Sequence, residues 1–249
     1  MLSSGGWAAL GVGFIFLMTS LGAASVLFCR EDTLPKSQTG MMGFAGGVMT
    51  AATVWSMLLP AIEQTRSEGT LPCWLPAAAG TAAGAAFLCA LDALILRLRR
   101  GGSAEKSSML MTAITLHNIP EGMAVGLAFA LSGGADGLTA AAALALGIGV
   151  QNVPEGAAVS LPLRRMGMSR GRAFSMGVLS GAVEPLFGML AVMAVSGISR
   201  IMPWLLGFSA GAMLYVVVCE LIPAADDRRG LFWYVAGFLL MMILDVALG

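Results

Sequence analysis

Apolar runs of about twenty residues follow one another along this chain with few polar interruptions, and that length is what a helix needs to cross a bilayer core. They can be laid out at about 6–29, 40–62, 73–96, 109–131, 138–162, 173–196, 203–223 and 231–248. The reading is an all-α, polytopic membrane protein with eight transmembrane helices in one domain over residues 1–249. Composition agrees: 57% of the chain is hydrophobic and 11% charged, where soluble domains carry about a quarter charged residues. The 33 glycines suit helices that pack closely in lipid through small residues. A formal net charge of zero gives no basic surface for nucleic acid. Cys29, Cys73, Cys89 and Cys219 have no CxxC spacing and read as packing residues. The first run lacks a basic leader and a small-residue cleavage site, so it reads as a retained span.

The connections are short and carry most of the charge. Every Lys and Arg except Arg66 and Arg200 falls in alternate connections, at 30–36, 97–106, 164–172 and 228–229. By the positive-inside rule those connections face the cytoplasm. The expectation is a multi-pass protein of the cytoplasmic (inner) membrane with both termini extracellular or periplasmic.

Two internal similarities follow. Gly43, Phe44, Gly47 and Met49 in the second helix match Gly207, Phe208, Gly211 and Met213 in the seventh, and both helices then reach a proline, Pro60 and Pro223. Helices five crossings apart run in opposite directions, so the match predicts a 3+2+3 inverted repeat, helices one to three against six to eight around a central pair.

The second similarity lies in that pair. HNIPEG, residues 117–122, recurs as QNVPEG, residues 151–156, each copy in the middle of an apolar run. Ionisable groups at membrane depth are costly and mark ion or substrate paths. His117 and Glu121 stand four residues apart and share a helix face, as do Gln151 and Glu155. The short loop between the two helices makes them antiparallel neighbours, so both motifs lie at one depth. Pro120 and Pro154 cannot donate to the carbonyls of Leu116 and Val150, which lipid would not tolerate but a lined cavity would. Asn118 and Asn152 add amide oxygens toward a neighbouring face, and Glu184 before Pro185 brings a third carboxylate on helix six. An imidazole, carboxylates and amide oxygens suit Zn²⁺ or another first-row divalent ion, whereas an all-oxygen cage would favour Ca²⁺ or Mg²⁺.

Blander roles compete. A lone buried His or Glu can hydrogen-bond across helices, and a proline can only kink one, but neither duplicates Pro, Glu and Gly in register. Met49 is a soft metal ligand or a packing residue among 18 methionines. Glu63 guards an entrance or is a solvated helix-end charge. For Asp92, Glu220 and Asp245 snorkelling or local pairing is the default, with an exit role at Glu220 as the alternative.

These residues resemble the ZIP (Zrt/Irt-like) metal transporters, and within them the bacterial GufA-like branch. HNIPEG and QNVPEG resemble that family's paired metal-binding motifs, and residues 43–63 and 181–188 its second and sixth helices. The resemblance implies a transport domain that takes zinc and related divalent ions, Cd²⁺, Mn²⁺ or Fe²⁺, toward the cytoplasm, with no cofactor and no enzymatic activity, and it leans toward a homodimer. It implies two adjoining metal positions: Met49, His117, Glu121, Gln151 and Glu155 for one, and Asn118, Glu121, Asn152, Glu155 and Glu184 for the other. Asn152 stands where close relatives often carry Asp, leaving the second position one charge poorer. Cys219 stands before Glu220 where another acidic residue is expected.

Two rival functions use the same residues. GFSAG, residues 207–211, matches the G-x-S-x-G nucleophile pattern, and with His117 as base it would make an intramembrane serine hydrolase. Helix two carries GFAGG at the matching place, with Ala45 for Ser209, so the glycines read as packing sites. Carboxylates and amides would also serve a proton-coupled carrier of a small organic solute.

Overall fold

The computed structural model describes residues 3–28, 34–98, 103–132 and 134–248, and among these every regular element is helical. Eight rods follow in chain order. They are α1 (Ser4–Phe28), α2 (Leu34–Ala52, continuing through a π-turn Thr53–Leu58 into Leu59–Glu68), α3 (Leu75–Leu98) and α4 (Ser103–Leu131). Then come α5 (Ala135–Arg165), α6 (Arg170–Gly181 and Val183–Met193), α7 (Val195–Val216, through a π-turn Val217–Leu221 into Ile222–Ala224) and α8 (Arg228–Leu248). Seven rods are long and apolar enough to cross a membrane, and α4 has 29 residues, more than the roughly twenty a crossing needs. This is a multi-pass membrane protein.

The surface is apolar and the interior partly polar, the reverse of a soluble domain. Leu10, Leu17 and Leu21 on α1 and Leu231, Phe232, Leu239 and Ile243 on α8 are exposed, while His117, Asn118, Glu121, Gln151, Asn152, Glu155 and Glu184 are buried. Lipid costs an exposed leucine nothing, whereas each ionised side chain at mid-membrane costs about 2.5–3.5 kcal/mol on insertion scales.

Glycine decides which helices touch. A Cβ at Gly156 of α5 would meet the main chain of Thr19 and Ala23 on α1, and one at Gly122 of α4 would meet the main chain of Glu184 on α6. Gly43 and Gly47 of α2 meet the backbone of α8 in the same way, and Gly207 and Gly211 of α7 meet that of α3. The resulting pairs are α1 with α5, α4 with α6, α2 with α8 and α3 with α7. Exchanging α1 for α6, α2 for α7, α3 for α8 and α4 for α5 maps this set of pairs onto itself, as the inverted repeat requires. α1, α4, α5 and α6 form one group and α2, α3, α7 and α8 another, meeting where α4 lies against α7 and α5 against α2.

The two π-turns fall at matching places in the repeat, beginning at Thr53 and Val217. Pro60 cannot donate to the carbonyl of Ser56, nor Pro223 to that of Cys219, and the ladder widens just before each proline. Leu59 N–H bonds the carbonyl of Val54, and Ile222 N–H that of Val217.

Several boundaries differ from the sequence expectation: α2 begins at Leu34 rather than near 40, and α4 at Ser103 rather than near 109. α2 runs on to Glu68, because Glu63, Gln64, Arg66 and Ser67 end the apolar pattern without ending the hydrogen-bond ladder; Gly69, at φ +66°, stops it. Glu63 therefore lies more than a turn inside the helix. α6 has a break at Ala182, two residues before Glu184, and α7 begins at Val195 rather than near 203.

Candidate metal centre

α4 and α5 run through Pro120 and Pro154 as continuous helices, and their motifs meet. His117 Nε2 lies 3.1 Å from Glu121 Oε1 and 3.4 Å from Glu155 Oε1. Ligand atoms of the three residues all lie within 4.8 Å of one another, and all three side chains are buried. In a tetrahedron of Zn–N and Zn–O bonds of about 2.0–2.1 Å, neighbouring ligand atoms stand roughly 3.3 Å apart. The nitrogen-to-oxygen spacings are already those of ligands around one ion.

Gln151 Nε2 donates to Glu121 Oε1, so the second motif's amide also faces this point. Its Oε1 has no hydrogen-bond partner, and neither do His117 Nε2, Glu121 Oε2 or both oxygens of Glu155. Buried polar atoms are rarely left so, and here they converge. A divalent cation would satisfy several of them together, and half a turn of the Gln151 amide would offer it an oxygen. The donor set fits zinc as a substrate.

The asparagines turn elsewhere, as their place one residue along the helix predicts. Asn118 Nδ2 donates to the carbonyl of Ser180 on α6 at 3.2 Å, and Asn152 Nδ2 to that of Ile15 on α1 at 3.5 Å. The Oδ1 atoms of both lack partners. Glu184 accepts from Thr19 Oγ1 at 2.7 Å through one carboxylate oxygen, and the other has no partner. It stands outside the three-residue cluster and within electrostatic reach of Glu121, Glu155 and His117. Met49 is buried in α2 and its carbonyl accepts from Thr53 Oγ1, which also reaches Met213 Sδ at 2.9 Å.

Glu63 lines a cavity of about 730 Å³ between α2, α5 and α8, together with Ser56, Asp136, Thr139 and Asp245. Asp245 accepts from Ser56 Oγ at 3.0 Å, the local pairing its sequence position suggested, but it also makes this cavity acidic beside Glu63. Asp92 is paired in the same way, by Tyr215 Oη at 3.0 Å. Glu220 is half-buried within the α7 π-turn and is not one of the three clustered residues.

Sequence reasoning missed three groups at the centre: Thr19, Ser180 and, as a partner of the imidazole, Ser209. Ser209 Oγ lies 2.7 Å from His117 Nδ1, the proximity a serine hydrolase would use. The rest of that reading fails on geometry. Ser209 is fully buried in the interior of a helix, not on the strand-to-helix elbow that exposes such a nucleophile.

The family model described as ZIP Zinc transporter matches residues 101–245, which hold α4 to α7, most of α8 and both PEG motifs. The zinc transporter GufA of Myxococcus xanthus is 38% identical over 93% of this chain and 94% of its own length. The zinc transporter ZIP11 of Homo sapiens is 34% identical over 97% of each chain. The zinc transporter ZIPB of Bordetella bronchiseptica is 37% identical over 98% of this chain and 82% of its own. A model match over more than half the chain, end-to-end relatives and a buried His-Glu-Glu cluster between the duplicated motifs lead to one assignment: the chain belongs to the ZIP zinc transporter family.

Proposed function

We propose that this protein carries Zn²⁺ across the cytoplasmic membrane into the cell, binding it between α4 and α5. The observation that carries the proposal is the convergence of His117, Glu121 and Glu155, with unpartnered ligand atoms, inside an apolar helical bundle. The names of the relatives agree with it and give no support to carriage of a small organic solute.

The ion enters past Glu63 and Asp245, whose carboxylates concentrate cations at the acidic cavity, and past Met49. At the centre its lost hydration is replaced by His117, Glu121, Gln151 and Glu155. Asn118, Asn152 and Glu184 form an adjoining, weaker position that shares the two bridging glutamates. Release follows movement of one helix group against the other, with Glu220 on the exit side. The clustering of Lys and Arg in alternate connections supports termini on the outer face. Cd²⁺, Mn²⁺ and Fe²⁺ compete for the same ligands, since oxygen and imidazole donors accept all of them, and a homodimer is the expected assembly. Zinc displaces protons from its ligands.

Reconstituted proteoliposomes test the proposal. Glu155→Ala should reduce zinc uptake to the level of empty vesicles while the protein inserts normally. Uptake equal to that of the native chain would remove the site.

A further inference from the structure

We propose that Ser209 is the positioning residue of the metal-binding imidazole: it holds the proton of His117 on Nδ1, keeps Nε2 open for the ion, and does so from the opposite helix group. The inference rests on His117 being a metal ligand, as proposed above.

The geometry has two parts. Ser209 Oγ is 2.7 Å from His117 Nδ1 and 3.3 Å from the main-chain carbonyl of the same residue. A carbonyl only accepts, and the hydroxyl has one proton to give. With that proton on the carbonyl, Oγ must accept from Nδ1–H. The imidazole is then fixed with its free lone pair on Nε2, the nitrogen that faces Glu121 and Glu155. Which nitrogen of a histidine binds metal is set by the hydrogen bond that the other one makes.

The repeat supplies an independent argument. The place of Ser209 in α7 corresponds to that of Ala45 in α2, and the place of His117 in α4 to that of Gln151 in α5. α4 lies against α7 as α5 lies against α2. An amide has no tautomer to select, and the matching residue is alanine. The imidazole has one, and the matching residue carries a hydroxyl.

Location adds a consequence. The bonds Thr19–Glu184, Asn118–Ser180 and Gln151–Glu121 stay within the group of α1, α4, α5 and α6. Ser56–Asp245, Tyr215–Asp92 and Tyr234–Thr50 stay within the other. The Ser209–His117 bond crosses between them. His117 therefore grips the ion best while α7 lies against α4, and separation of the groups releases the ring and weakens one ligand as the site changes access.

The chain has a single histidine, so ring-¹⁵N-labelled histidine reports on His117 alone. In nanodiscs with Zn²⁺, the native full-length protein should show a protonated Nδ1 and a metal-shifted Nε2. Ser209→Ala should lose that fixed tautomer and bind Zn²⁺ roughly 10- to 100-fold more weakly, and Ser209→Thr, which keeps the hydroxyl, should restore both. Zinc on Nδ1 in the native protein, or native affinity in Ser209→Ala, would overturn the proposal. If Ser209→Ala fails to fold, the native spectrum still decides. Resonances that ignore Zn²⁺ altogether would instead overturn the assignment of His117 as a ligand, and the positioning role with it.

Discussion

HNIPEG and QNVPEG occupy equivalent places on antiparallel helices, and their frameworks match. Each has a proline inside a continuous helix, a glutamate in the central cluster, and a glycine seated on a neighbour's main chain, Gly122 on α6 and Gly156 on α1. Their chemistry does not match. One half brings an imidazole with Ser209 against it, the other an amide that leans on Glu121. The scaffold is symmetric because backbone contact is what packs helices in lipid, and any side chain at those glycines would prevent it. The ligands are free to differ, because a single ion needs only a complete set of donors, whichever half supplies them. The comparison teaches that in this bundle symmetry belongs to the packing and the mixed donor set to its breaking.

Making the halves alike should break the comparison in a graded way. His117→Gln, which leaves two amides and no nitrogen ligand, has the largest expected effect. Zinc affinity should fall by more than the roughly 10- to 100-fold that loss of a ligand's supporting partner costs, read by competition with a chromophoric chelator. Unchanged affinity would mean that the halves differ without chemical consequence. Gln151→His makes the pair symmetric in the other direction. It should tighten zinc binding by about tenfold, equivalent to 1.4 kcal/mol, and slow turnover, which binding and uptake measured together would reveal. The smallest effect on the main position is expected from Asn152→Asp. Added charge beside Asn118 and Glu184 should raise the zinc stoichiometry in calorimetric titration from one toward two, with little change at the first site. A stoichiometry fixed at one would show that the second position does not depend on that charge.

Much of this was legible in the sequence. Eight apolar runs, the alternation of charge and the doubled motif each depend on local pattern, and local pattern survives folding. The convergence of His117, Glu121, Gln151 and Glu155 was legible too, because a spacing of four on two antiparallel neighbours leaves little freedom. What escaped depends on residues distant in the chain. Ser209 and His117 are 92 positions apart, and Thr19 and Glu184 are 165 apart, so no periodicity connects either pair. GFSAG did draw attention to Ser209, but through a nucleophile pattern whose chemistry a buried mid-helix serine cannot perform. Asp245 reads as a locally paired charge and is one, yet the position of α8 beside α2 also places it in the lining of the cavity that Glu63 lines. The extension of α2 to Glu68 was hidden for another reason: helical hydrogen bonding continues past the last apolar residue once the helix leaves the membrane core.

The central claim is that the one imidazole of this chain and the glutamates around it hold the transported ion. X-ray absorption at the zinc edge, on zinc-loaded native protein and on His117→Gln loaded at higher zinc, tests it most directly. The native spectrum should carry the scattering signature of one imidazole among oxygen ligands at about 2.0–2.2 Å, and the variant should lose it. Spectra that coincide would contradict the account.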